Sequence, residues 1–185
     1  MATTTTTATI KADIVFNQQQ SYSYSTSNLV LQGSTDYTIS LNNGSGADYR
    51  QTDSIYNVGG LVIGSGATTN YDLKALEQPS FGSNYTVNFT GIKGMVIRNH
   101  NTGQFDTLTL KTTGTNAFTN LLNGGSGGLN GIKIAPGGAY FYSDPYFGTA
   151  VATNNKIISI GNEGNGTNNT GIAVSIIIAG TTGLG

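Results

Sequence analysis

The chain has seven Asp, two Glu and one His with which to do acid–base chemistry, and no Cys. His100 stands in the polar run Arg98-Asn99-His100-Asn101-Thr102-Gly103, with Asp106 the nearest carboxylate in sequence. A nucleophilic hydrolase needs a nucleophile, a base and a group that orients the base. A lone histidine in a turn offers one of the three, and without thiols or a second imidazole it cannot build a histidine-based metal cage. Glycoside hydrolysis would instead use two facing carboxylates. Glu77 and Glu163 fall in loop-like stretches, Asp13 alternates onto a strand face, Asp36, Asp48, Asp53 and Asp106 flank turns, and Asp144 precedes Pro145. These are ordinary structural uses of Asp, and no spacing singles out a pair. The expectation is a noncatalytic protein with no catalytic, cofactor-binding or metal-binding residue.

The glycine clusters Gly59-Gly60, Gly64-Ser65-Gly66, Gly124-Gly125-Ser126-Gly127-Gly128 and Gly137-Gly138 do not fit a phosphate loop, which needs a following Lys and Ser or Thr at the mouth of a helix. The tract from Gly161 to Gly171 lacks the Asp-rich ligand set of a calcium loop. Tight hairpin and loop turns account for the clusters, and a long hairpin loop for the tract. Ten Tyr and seven Phe are more informative, because Tyr140, Phe141, Tyr142, Tyr146 and Phe147 crowd a stretch in which alternation can bury only part of them. Exposed aromatics mark interfaces or sugar platforms. Tyr140, Tyr142, Tyr146 and Phe147 are therefore candidate protein-interface residues, and Tyr140, Tyr142 and Tyr146 would serve a carbohydrate-binding module if the protein were one.

The elements that must position these side chains read as strands. Gly, Thr, Asn and Ser fill nearly half of the 185 positions, with only 3 Pro and no collagen-like triplet. Apolar and polar residues alternate through Ile10 to Phe16, Tyr37 to Leu41, Ser54 to Val58, Tyr85 to Phe89, Gly94 to Asn99, Thr107 to Thr112, Gly138 to Ser143, Lys156 to Ile160 and Ile172 to Ala179. A period of two indicates half-buried strands. Gly33-Ser34 would split the N-terminal third into a meander. Helical signals are confined to short turns at Tyr71 to Leu76 and Asn116 to Leu122. The fold class expected is all-β: an antiparallel β-sandwich, jelly-roll-like, with Gly-rich turns.

One domain over residues 10–185 follows from the length. Residues 1–9, with five consecutive Thr, read as an extended arm that orders against something else. Thr4, Thr5, Thr6 and Thr7 are its candidate interface residues, laid along the sheet edge of a neighbour. A net charge of -1 from 8 basic and 9 acidic residues leaves no field with which to bind nucleic acid or an anionic membrane. No stretch is apolar for long enough to span a bilayer as a helix, and no secretory signal is expected.

A series of short phrases runs through the second half: Tyr71-Asp72-Leu73 with Leu76; Ile92-Lys93-Gly94 with Ile97 and Asn99; Ile132 and Ile134 before Pro136-Gly137-Gly138; Val151, Asn162 and Gly164; and Ile176, Ile178 and Gly180-Thr181. In this order they resemble a family of small all-β virion proteins of tailed bacteriophages, over about residues 55 to 182. The resemblance implies a capsid decoration or cement protein, made in the host cytoplasm and carried on the capsid surface. Its partner would be the major capsid protein or another virion protein. A place over local threefold positions would make it a homotrimer.

Overall fold

The computed structural model describes residues 6–21, 28–44, 50–80, 83–111, 114–119, 131–163 and 171–183. They form a β-sandwich with no α-helix among them. One sheet runs β11 (Ala139–Ser143), β8 (Gly91–Asn99), β14 (Ile172–Thr181), β4 (Ser54–Ile63), and short β12 (Thr149–Ala150) also pairs with β8. The other runs β10 (Ile132–Ile134), β9 (Leu108–Lys111), β13 (Ile157–Asn162), β5 (Thr68–Asp72). A hairpin of β6 (Leu76–Ser80) and β7 (Ser83–Val87) lies beside β4.

The core follows from alternation. Ile172, Val174, Ile176 and Ile178 of β14 are buried, whereas Ala173, Ser175 and Ile177 between them are not. With Met95 and Ile97 of β8 and Tyr56 and Ile63 of β4 they form one apolar cluster with Leu108, Leu110, Ile134, Ile158 and Ile160 of the facing sheet. Each such side chain contributes about 1.5 to 3 kcal/mol on burial. Leu73, Leu76, Val87 and Phe89 join the same cluster. Buried polar groups hold the seams. Gln78 accepts from the Asn57 amide (2.6 Å) and donates to the Asn57 carbonyl (3.0 Å), so its carboxamide imitates a neighbouring strand and docks β6 on β4.

Three local expectations change. Tyr71 to Leu76 is not a helical turn: β5 ends at Asp72, whose carboxylate accepts from the Lys74 amide (2.9 Å), and Leu73 turns inward. The Asp side chain closes a turn here instead of capping a helix. Asn116 adopts φ 57, which breaks a right-handed helix at its start, and the Phe118 amide donates to Ile157 instead (2.8 Å). Residues 120–122 of that expected turn lie outside the described residues.

Gly33-Ser34 does not interrupt the chain. β1 (Ala8–Ser21) and β2 (Asn28–Asn43) form one long antiparallel ribbon whose ladder passes through Phe16↔Gly33 and Val15↔Ser34. A partner strand that supplies hydrogen bonds at successive rungs outweighs local turn propensity. The ribbon's foot is seated on the sandwich, where Ile10, Leu41 and Ala179 are buried together with Ala8 against them. β3 (Gln51–Thr52) pairs in parallel with Asn42 and Asn43.

Residues 8 and 9 thus belong to this ribbon and pair within their own chain, Ala8 with Leu41 and Thr9 with Ser40, two residues inside the segment read as an arm. The apolar anchor at Ile10 explains where the pairing starts. Just before it the Thr6 amide donates to Asn43 Oδ1 (2.8 Å), and Thr7 is exposed. Thr4 and Thr5 lie outside the described residues.

Candidate functional site

Strand β8 organises the site through one irregularity. On one flank its ladder with β14 shifts register, so that Gly94 faces Ala179, Ile92 faces Gly180 and Lys93 is the extra residue of a β-bulge. On the other flank β11 leaves β8 at Ser143↔Gly94 and β12 rejoins it at Thr149↔Ile92. The chain between, residues 144–148, is an excursion opposite Lys93 alone. Bulges characteristically redirect a side chain and end a pairing.

Lys93 is fully enclosed, and its ammonium donates to the Tyr146 carbonyl (2.8 Å). Burial lowers its pKa from the ordinary lysine value, and the charge of Asp144 opposes that shift. The loop closes on itself: the Asp144 amide donates to the Lys93 carbonyl (2.9 Å) and the Gly148 amide to the Asp144 carbonyl (3.1 Å). Gly148 is required, since its φ of 70 is in the left-handed region and a Cβ there would stand 3.0 Å from Lys93 Cδ.

Arg50 completes the arrangement from the far side. Its amide donates to the Pro145 carbonyl (2.9 Å), its carbonyl accepts from Asn42 (2.7 Å), and its backbone is held at φ 65. The guanidinium lies over the Tyr146 ring, 5.2 Å from the centroid, and donates to the Tyr146 hydroxyl (2.8 Å). Cation–π contact and hydrogen bond together fix the ring. A non-glycine residue in this region is strained unless its surroundings impose it, and such strain concentrates at functional positions. Beside this pair Phe147 is 70% exposed, and Tyr146 is 41% exposed. An exposed aromatic pair beside an arginine, on a small loop bonded at its backbone, has the composition of a protein-interface hot spot.

Of the four aromatic candidates, Tyr146 and Phe147 come together in this knob. Tyr140 and Tyr142 do not join them. They are half-buried against the core from β11, and it is Phe141 between them that points outward. Burial raises the pKa of both phenols, and the Tyr142 hydroxyl is hydrogen-bonded to Thr149 Oγ1. A flat platform of Tyr140, Tyr142 and Tyr146 is therefore not formed, because Tyr140 and Tyr142, two positions apart on β11, share the core-facing side whereas Tyr146 stands on the loop beyond the strand. Arg50 and Lys93 were not among the candidates. The parity of β8 places Lys93 with core-facing Met95 and Ile97, which is a legible oddity, whereas no local signal marks Arg50.

His100 sits elsewhere, exposed, with Nε2 2.7 Å from Ser175 Oγ on the outer side of β14. Asp106 is engaged in shaping its own loop. Its carboxylate accepts from Asn101 (3.0 Å) and its carbonyl from buried Asn99 (2.6 Å), while Asn101 also bonds Gly171 and Ala173. Among the described residues no three His, Asp or Glu side chains gather as a metal site would require, and no helix is long and apolar enough to cross a membrane. No family model, curated protein or solved structure matches the chain.

Proposed function

We propose that the protein is a noncatalytic structural subunit of a bacteriophage virion, a capsid cement or decoration protein that binds the assembled head and bridges neighbouring capsomers. The knob of Arg50, Tyr146 and Phe147 is its contact with the major capsid protein or another virion protein. The observation that carries this reading is the preorganisation of that knob: a buried lysine and a bulge tie down the loop backbone, and a strained arginine fixes the Tyr146 ring beside exposed Phe147. Rigid anchors lose little entropy on docking, so added buried area is converted into stabilisation of the shell. A homotrimer would present three knobs around one axis and bridge three capsomers at once.

The test is occupancy. Labelled protein on purified particles should be distributed over the head by electron microscopy, and mass measurement in solution should give a trimer. Phe147→Ala and Arg50→Ala should each weaken binding to capsids by about 30-fold, as loss of a hot spot of about 2 kcal/mol does. Phe147→Ala should change folding stability by less than about 0.5 kcal/mol, since Phe147 lies on the surface. Label confined to the tail tip, or full occupancy by both variants, would overturn the assignment.

A further inference from the structure

The sheet that faces away from the knob carries polar side chains in register on its outer side. On β13, Ile158 and Ile160 point into the core, so Ile157, Ser159 and Gly161 point out. Ser159 pairs with Lys111 of β9 on one flank and with Asn70 of β5 on the other, which makes these three one cross-strand row. Gly161, opposite Thr68, lets the lysine stem lie diagonally over the strand, since a Cβ there would stand 2.6 Å from Lys111 Cε. The ammonium placed in this way donates to Thr68 Oγ1 (2.9 Å). Beside the row runs the segment 114–119, anchored where Ala117 bridges to Ile157 and where Phe118 is buried in the core. Its residues Gly114, Thr115 and Asn116 form a wall, and together with the row and Lys156 they line a cleft of about 490 Å³. Small-molecule sites have this size.

The polar groups of the cleft are unequal in kind. Its acceptors are already engaged by the chain's own donors, among the described residues. Thr68 Oγ1 takes the Lys111 ammonium, Asn70 Oδ1 takes the Ser159 hydroxyl (2.7 Å), and the Asn116 carbonyl takes the Lys156 and Ile157 amides (2.9 and 2.8 Å). Asp72, at the edge, accepts from Lys156 Nζ on one oxygen (2.5 Å) and from the Lys74 amide on the other (2.9 Å). Donors are left over. Lys111 has two further ammonium N–H groups, Thr68 keeps its own hydroxyl proton, and Asn70, with its Oδ1 turned to Ser159, directs its amide N–H groups elsewhere. The lining has no aromatic ring and one large apolar side chain, Ile157, so an apolar ligand gains little there.

We propose that this cleft binds a small phosphate, inorganic or as a monoester, whose oxyanion is held by the Lys111 ammonium, the Thr68 hydroxyl and the Asn70 amide. A phosphate monoester supplies three strong acceptor oxygens, the groups this surface lacks. Hydrogen bonds between a charged donor and a charged acceptor are the short, strong ones. Lys156, fixed by Asp72, adds positive charge at the end of the cleft. With a net charge of -1 the chain has no long-range attraction for anions, so binding comes from these local bonds and is weak to moderate. The site is on the opposite sheet from the loop 144–148 and does not depend on the knob binding a capsid.

Amide shifts of the full-length protein, titrated at constant ionic strength with inorganic phosphate, glycerol phosphate and glycerol in separate series, test this. Both phosphates should give saturable shifts centred on residues 68–72, 111, 114–116 and 156–161, and glycerol none. Lys111→Gln should weaken binding by about 10-fold or more, as loss of a hydrogen bond to a charged group does. Gly161→Ala, which pushes the lysine stem off the strand, should weaken it several-fold, whereas Arg98→Gln, exposed on the outer face of the other sheet, should leave it nearly unchanged. Equal affinity for the two phosphates would identify the oxyanion as the whole ligand, and tighter binding of glycerol phosphate would add contacts to the ester; both outcomes sustain the site. Shifts that grow without saturating, the same shifts with glycerol, or undiminished binding by Lys111→Gln would overturn the proposal.

Discussion

The loop 144–148 is tied to β8 by the Asp144 amide and by the Lys93 ammonium on the Tyr146 carbonyl, and to Arg50, at the base of the ribbon, by the Pro145 carbonyl. The described part of the ribbon is seated at its foot, by Ile10 and Leu41 on Ala179 and by main-chain bonds at Asn42 and Gly44. Two neighbouring surfaces are thus prepared in opposite ways. The loop spends the burial of a charge to become rigid before any partner arrives, and such a group is costly to enclose unless it is hydrogen-bonded. The ribbon's foot is held instead by apolar packing of Ile10 and Leu41 on Ala179. Arg50 bonds both, through Pro145 and through Asn42, so the two are mechanically adjacent although they are energetically unlike.

Lys93→Ala should break this difference most severely. It removes a buried aliphatic stem and leaves the Tyr146 carbonyl without its ammonium donor, a loss of about 3 kcal/mol in urea unfolding. Amide exchange should rise at residues 144–148 towards that of an open loop. Lys93→Met, which keeps the volume, separates the two contributions: exchange should still rise, with about half the loss of stability. Restored protection in the Met variant would show that packing, and not the Nζ–carbonyl bond, locks the loop.

Alkaline titration comes next, and its sign can be worked out. Burial raises the phenols of Tyr56, Tyr140 and Tyr142 above their ordinary value of 10.0, and burial followed by the nearby Tyr56 phenol pushes Tyr71 up to about 12. An acid that resists ionisation only when folded adds stability that is intact below the unfolded pKa and is lost as pH rises through the folded one. Stability should therefore fall between pH 10 and about 12. Lys93 acts in the other direction, because a lysine with a depressed folded pKa imposes a penalty that is relieved as pH approaches 10.5. Four phenols outweigh one ammonium, so the net effect is a loss, and Lys93→Met should steepen it. A melting temperature that holds steady up to pH 12 would contradict the burial of these rings.

Gly148→Ala should cost about 2 kcal/mol, combining left-handed backbone strain with the close approach to Lys93. A parallel Gly60→Ala, with φ 69 but nothing within 4 Å of its Cβ, should cost only about 1 kcal/mol. Equal losses in urea unfolding would remove the crowding over Lys93 from the account.

How much of this was legible in the sequence differs between the two regions for a physical reason. Alternation is a local property, so the all-β sandwich and its core strands, such as Ile172 to Ala179, could be read directly. Which parity faces inward is not local. Tyr140, Tyr142, Tyr146 and Phe147 look alike as a cluster, and only the pairing of β11 with β8 turns the first two towards the core. The bulge at Lys93 arises from register between strands some eighty residues apart, and Arg50 meets Tyr146 across 96 positions. No short window contains either. The ribbon misleads in the other direction: Gly33-Ser34 carries a genuine turn signal that the long ladder overrides.

The smallest effect expected is from shortening the ribbon. Joining Lys11 to Thr38 through Asn-Gly replaces residues 12–37 with a two-residue turn suited to a hairpin, and keeps the rungs Ala8↔Leu41 and Thr9↔Ser40 and the seated Ile10 and Leu41. Because the seated foot is kept, the unfolding free energy of the dilute protein should change by less than about 1 kcal/mol, well below the loss from Lys93→Ala. Loop entropy acts the same way, because closing a shorter connection costs less. A loss of several kcal/mol on truncation would show that the ribbon folds back on its own sandwich and belongs to that core.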